Sequence, residues 1–177
     1  MNTKAFGTQS ATAPLEKLNI QRREILPNDV QIEILYCGIC HSDLHAVHND
    51  WGGTTYPIVP GHEIVGRITN VGESVTKFKV GDLAGVGCIV DSCRECDHCH
   101  EGNEQYCESG WTVVFNAIDK KHGGIAETQE VLNFCAEHNI TADIELIGTN
   151  QVNDALERLE KGDVKYRFVI DLASLKN

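Results

Sequence analysis

The chain has 177 residues, 41% of them apolar, enough for one substantial domain or two small ones around a packed core. A net charge of −11 and a pI of about 5.1 exclude a nucleic-acid backbone as partner, and no apolar run approaches the ~20 residues of a membrane span. Residues Met1 to Ser10 lack the apolar core of a secretory signal, so eight cysteines predict a reducing, cytoplasmic setting where clustered thiols bind metal.

The first 90 residues predict β structure. The segment DVQIEILYCGI, from Asp29 to Ile39, alternates like a half-buried strand; GHEIVGRITNVG and GDLAGVGCIV are similar, with Gly72, Gly81, Gly85 and Gly87 as turns or bulges. Between them HSDLHAVHND predicts a short helix that stops near Asn49 and Asp50. Residues 91–110 predict a loop with too few large apolar side chains to fold unaided. After Gly124 the pattern turns to helix, strand, helix, strand. IAETQEVLNFCAEHNI places Ile125, Val131, Leu132, Cys135 and Ala136 on one helical face. ADIELI is a strand, TNQVNDALERLEKGD a helix capped by Thr149 or Asn150 and ended by Gly162, and VKYRFVIDL the last strand.

Cys93, Cys96, Cys99 and Cys107 form C-x2-C-x2-C-x7-C. Zinc accepts four thiolates at tetrahedral corners, and two-residue gaps turn consecutive thiols toward one ion. Coordination would replace the missing core, and four thiolates leave no open position, so this centre is expected to be structural. Redox thiols or a chance cluster are the competing reading. His98 and His100 are expected to face solvent. A second constellation precedes it: Cys40, then His62 with Glu63 beside it, distant in the chain as ligands joined by folding are. Asp43 is suited to accept the other imidazole N–H of His62. A buried cysteine and a core histidine with no metal would give the same pattern.

The string G-H-E-x2-G-x5-G-x2-V, from Gly61 to Val75, resembles the zinc signature of medium-chain alcohol dehydrogenases. CGICHSDLH and the four-cysteine lobe are similar to that family as well, in the same order. GDLAGVGCIVDSCRECDHC and DVKYRFVID resemble the cinnamyl-alcohol-dehydrogenase branch, NADP-preferring aldehyde reductases. The resemblance implies a GroES-like fold. It implies that Cys40 and His62 are catalytic zinc ligands with Glu63 able to approach the ion. Ser42 would take the alcohol proton, His45 would pass it to solvent, and Trp51 would wall the substrate pocket. Without the resemblance, Ser42 reads as a helix cap, His45 as a surface imidazole and Trp51 as ordinary packing. Cys37, Cys88 and Cys135 match no ligand position and are expected to be small buried hydrophobes.

Hydride transfer needs a carrier, and the G-x-G-x-x-G fingerprint that would seat one occurs nowhere in the 177 residues; GVGC from Gly85 begins like it and stops. In the resembled family a nucleotide-binding domain of on the order of 150 residues sits between the N-terminal part and the C-terminal tail. Gly123 and Gly124 resemble both sides of such an insertion, which places a seam near 122–124. The expected protein is mainly β (α+β): a GroES-like β-barrel formed by residues 1–122, with its zinc lobe at 91–110, completed by a 123–177 αβαβ tail. No Rossmann domain and no cofactor-binding residues are expected. The family's third zinc-binding cysteine falls in the missing part, and Cys135 is not expected to replace it. The predicted function is that of a zinc-binding catalytic domain of an NADP-dependent alcohol dehydrogenase or aldehyde reductase, acting by family on a small aldehyde or primary alcohol. Little or no turnover is expected from it alone. A zinc-stabilised module that self-associates through the uncovered face is the alternative, and a weak zinc-water hydrolase a third.

Overall fold

The computed structural model describes residues 1–114 and 135–176. In chain order these carry β1 (Asn2–Gly7), β2 (Glu16–Gln21), β3 (Val30–Gly38), helix α1 (His41–His48), β4 (Glu63–Val71), β5 (Leu83–Val86) and β6 (Ile89–Asp91). There follow the single turn α2 (Asp97–His100), β7 (Thr112–Val113), β8 (Ile144–Ile147), helix α3 (Val152–Glu160) and β9 (Arg167–Asp171). A five-stranded sheet in the order β5-β4-β3-β9-β8 dominates; β1–β2 and β6–β7 are separate antiparallel pairs. All neighbours in the large sheet are antiparallel except β8 and β9, which run parallel across the crossover helix α3. The protein is mainly β, as expected.

The alternation along each strand sorts the sheet into two faces. On one face Phe168 is almost fully buried, and it clusters with Ile147 under α3, which contributes Val152, Ala155, Leu156 and Leu159. Leu44, Ala46 and Val47 of α1, together with Leu15, Ile39 and Ile58, complete this core. Arg158 lies over the Phe168 ring at 4.7 Å while pairing with Glu145 and Asp163. Chain ends far apart in sequence are stitched here. The Asn153 amide accepts from the Leu15 N–H (2.9 Å) and donates to its carbonyl (3.0 Å), and the Ile39 N–H donates to the Phe168 carbonyl (3.0 Å).

Helix α1 stops as expected. Asn49 takes the left-handed conformation (φ 61°), and its side-chain oxygen accepts the Thr54 N–H at 2.9 Å. Gly162 (φ 69°) ends α3. The start of α3 differs from expectation, because a short 3-10 turn, Thr149–Gln151, precedes it. Gln151 reaches back to accept the Gly148 N–H (3.0 Å), and the Thr149 N–H is taken by Ser174 Oγ (2.9 Å), so neither Thr149 nor Asn150 serves as cap. The helix expected from Ile125 lies mostly outside the described residues, as does the seam near 122–124; of its length 135–137 are helical.

Sheet geometry also positions the candidate site. Gly38, the last residue of β3, pairs with Glu63, the first of β4. The chain leaving β3 toward Cys40 and the chain entering β4 from His62 therefore meet at one end of the sheet.

Candidate metal centres

Cys40, His62 and Glu63 come together at that sheet end, with one ligand atom from each within 4.8 Å of the others. The organiser is Asp43, in the first turn of α1 and only 3% exposed. Its carboxylate accepts the Cys40 N–H (2.9 Å), the Gly61 N–H (2.8 Å) and the Nδ1–H of His62 (3.0 Å). The last contact holds the proton on Nδ1 and leaves Nε2 for a metal, as the sequence suggested for Asp43. Gly61 is required at its position: φ is +124°, and an added Cβ would lie 2.8 Å from Cys37 Sγ.

Charge in the site follows from these contacts. The Asp43 hydrogen bond, opposed by burial and helped by Asp43 and Cys40 charge, raises the His62 imidazole to about 9. Burial pushes the Cys40 thiol up, but hydrogen bonds from Ser42 and His62 and the charge of Arg167 outweigh it and leave it below the ordinary thiol value. A thiol easily ionised, an imidazole with a fixed tautomer and a neighbouring carboxylate suit zinc in ligand type. Ser42 Oγ lies 3.2 Å from His62 Nε2. His45 and Trp51 form a separate pair at the rim. The His45 ring bonds Asp50 through Nδ1 (2.8 Å), stands 5.2 Å from the Trp51 ring, and Trp51 is 66% exposed.

Two residues at this end were not singled out by sequence. Arg167, the first residue of β9, donates to the Ile39 carbonyl (2.9 Å) and pairs with Glu63 Oε2 at 3.4 Å. An isolated arginine in a strand gives no signal of its own; only the β3–β9 pairing brings it to Glu63. Cys88 is exposed, against the expectation that it is a buried hydrophobe, because it lies in the bend between β5 and β6 rather than in a core strand. Cys37 is buried as expected, and burial pushes its thiol up to about 12. Cys135 is only half-buried, not the enclosed residue that its helical pattern implied.

The second cluster unites Cys93, Cys96, Cys99 and Cys107, again with all four sulfurs within 4.8 Å. The N–H groups of Glu95 and Cys96 both point at Cys93 Sγ (3.4 Å each) and lower that thiol to about 6. The Cys93 N–H points at Cys107 Sγ (3.4 Å). Arg94 sits at φ 63° and pairs with the buried Asp91 (3.1 Å), which bends the chain so that the two-residue gaps wrap the sulfurs inward. His100 is exposed and His98 half-buried near the Tyr106 ring; neither joins the four sulfurs.

Residues 26–138 match the family model for the alcohol dehydrogenase GroES-like domain. The chain belongs to this zinc-dependent alcohol dehydrogenase family. Aldehyde reductase YahK of Escherichia coli is 31% identical, in an alignment that reaches 99% of each chain and runs over 347 positions. Since this chain has 177 residues, about half of those positions have no counterpart in it. NADP-dependent alcohol dehydrogenase C 1 of Mycolicibacterium smegmatis is 55% identical over 125 residues, 68% of this chain but 36% of that enzyme. Cinnamyl alcohol dehydrogenase 2 of Rauvolfia serpentina is 47% identical over 150 residues, 80% of this chain and 41% of that one. Among solved structures, a cinnamyl alcohol dehydrogenase of Sorghum bicolor shares the fold with a TM-score of 0.86 at 24% identity, over 98% of each chain. The family member described here is thus of the cinnamyl-alcohol-dehydrogenase type and lacks the Rossmann part.

Proposed function

We propose that this chain is the metal-binding catalytic part of an NADP-dependent alcohol dehydrogenase or aldehyde reductase, with little or no turnover on its own. One observation carries the reading: the donors for a catalytic zinc converge at Cys40, His62 and Glu63, while no dinucleotide fingerprint exists anywhere in the sequence. Residues 1–122 and 123–177 would be two parts of one domain, an assignment supported by β8 and β9 joining the sheet that holds β3. The four-cysteine lobe would hold a structural zinc.

A zinc ion at Cys40 and His62 would acidify a bound alcohol or polarise an aldehyde carbonyl. Asp43 keeps His62 in the tautomer that offers Nε2, and Arg167 holds the Glu63 carboxylate beside the other donors. The Ser42 hydroxyl, next to Nε2, would accept and pass on the alcohol proton, and His45, exposed and paired with Asp50, would deliver it to water. Trp51 would line the approach of a small aldehyde or primary alcohol. The expected result is no NADPH oxidation above background when the zinc-loaded chain meets a small aldehyde, and no saturable NADPH binding. Turnover at ordinary enzyme rates, ~1 s⁻¹ or more, overturns it.

A second reading is favoured by one surface. Tyr36, Val65, Leu83, Ile144 and Leu146 share the sheet face opposite the core and are 43% exposed or more, Leu83 and Leu146 at 61% and 57%. Such a face is a candidate for self-association. Light scattering at increasing concentration should then show a dimer or larger species; a monomer throughout ends that reading.

A further inference from the structure

Glu63 reaches one of its partners by crossing a strand. It begins β4, whereas Arg167 begins β9, and β3 lies between them. Neighbouring strands stand ~4.8 Å apart, so a side-chain pair that spans three strands must pass over the middle one. The register shows where. Glu63 is opposite Gly38, and Gly38 is opposite Val169, so one row runs from β4 through Gly38 to β9. Residues opposite one another direct their side chains to the same face, and Gly38 puts nothing in the way. A Cβ added there would collide with Glu63 Oε2 and lie 3.1 Å from its Cβ and 3.2 Å from its Cδ. All three nearest atoms belong to Glu63, whose side chain therefore lies along the bare Cα.

Backbone geometry does not ask for this glycine. Gly38 ends β3 in the ladder with β4 and β9 and is not one of the glycines with positive φ. A glycine weakens a strand, and one with no turn to make marks the close approach of another group. Here that group is a carboxylate whose oxygen also stands within 4.8 Å of the ligand atoms of Cys40 and His62.

We propose that Gly38 is a positioning residue for the metal centre. Its missing side chain is the slot that lays the Glu63 carboxylate between Arg167 and the Cys40–His62 donors, where it serves as the third protein donor. This rests on the reading of Cys40, His62 and Glu63 as a metal centre. Arg167 works with the slot. It donates to the Ile39 carbonyl (2.9 Å), next to Gly38, so the cation that draws the carboxylate across β3 is anchored to the chain leaving that strand.

The test titrates cobalt(II) into the full chain and measures the dissociation constant of the more weakly held ion and its d–d absorption. Unaltered protein should hold two ions, one for each cluster. Gly38→Ala should weaken the second ion by ~10-fold or more, the range for residues that orient a ligand, and change its spectrum as Glu63→Ala does. Adding Gly38→Ala to Glu63→Ala should cost nothing further, since the glycine acts only through that carboxylate. If Gly38→Ala lowers the urea midpoint, Glu63→Ala in the same chain should restore it by removing the collision. Gly87→Ala, where an added Cβ meets open space, should change neither ion. The proposal is overturned if either Gly38→Ala or Glu63→Ala binds both ions as before, if the two losses add, or if the midpoint is not restored. A chain that holds one ion, or keeps two in Cys40→Ser, instead refutes the metal centre itself, and the slot falls with it.

Discussion

Asp43→Ala is expected to abolish metal binding at Cys40 and His62 and to lower the unfolding free energy by about 3 kcal/mol or more. The carboxylate is buried and accepts three donors, the backbone N–H groups of Cys40 and Gly61 and the imidazole N–H of His62. Alanine leaves all three without an acceptor, and each unsatisfied buried donor costs ~1–3 kcal/mol; entry of water would keep the total toward the lower end. The same change releases the His62 ring, so Nε2 no longer faces Cys40. The urea midpoint should fall with an unchanged slope, and bound zinc should fall from two ions to one, the survivor belonging to the cysteine lobe. A variant with both ions and an unchanged midpoint would refute the role given to Asp43.

His62 adds a pH signature to that experiment. In the metal-free chain its pKa is raised from about 6.5 to about 9, chiefly by the Asp43 hydrogen bond. The associated stability is fully present below pH ~6.5 and is lost as pH rises through about 9. Metal needs the neutral ring, so binding at this centre must release a proton and tighten over the same interval. In Asp43→Ala that pH dependence should flatten.

The sequence exposes most of what this end of the sheet contains and little of how it is joined. Cys40, Asp43, His62 and Glu63 are legible because their types and order are chemically restrictive, and the alternation in β3 and β4 predicts the strands that carry them. Arg167 is not legible, since its position depends on β9 pairing with β3. Pairing partners are long-range facts that local patterns do not encode. The α3 cap failed for a related reason. Thr149 has the right side chain, but Ser174, distant in sequence, occupies its N–H, and Gln151 closes the turn from inside. The exposure of Cys88 shows a similar limit: an apolar neighbourhood in sequence, Gly85 to Val90, does not reveal that the strand bends there.

Removing metal from the four-cysteine lobe is expected to unfold residues 91–113 while the five-stranded sheet survives. Of the buried hydrophobic residues in the described chain, Cys107 alone lies in this segment, so no apolar cluster remains when the thiols lose their ion. The strand pair β6–β7 that closes the lobe is only three residues against two, too short to stand alone. Structural zinc supplies ~10–16 kcal/mol of apparent binding energy in such segments, far more than the few hydrogen bonds left behind. Either a strong chelator or Cys107→Ser should therefore remove amide-exchange protection from 91–113 and open the segment to proteases. Protection at Ile68 and Phe168, in the almost fully buried core, should persist. Acid should act in the same direction, since Cys93 favours the thiolate only above about pH 6 and protonation of the thiols below that point expels the ion. If the protection map of 91–113 is unchanged after the metal is gone, the lobe stands on its own hydrogen bonds and the four sulfurs are not what folds it.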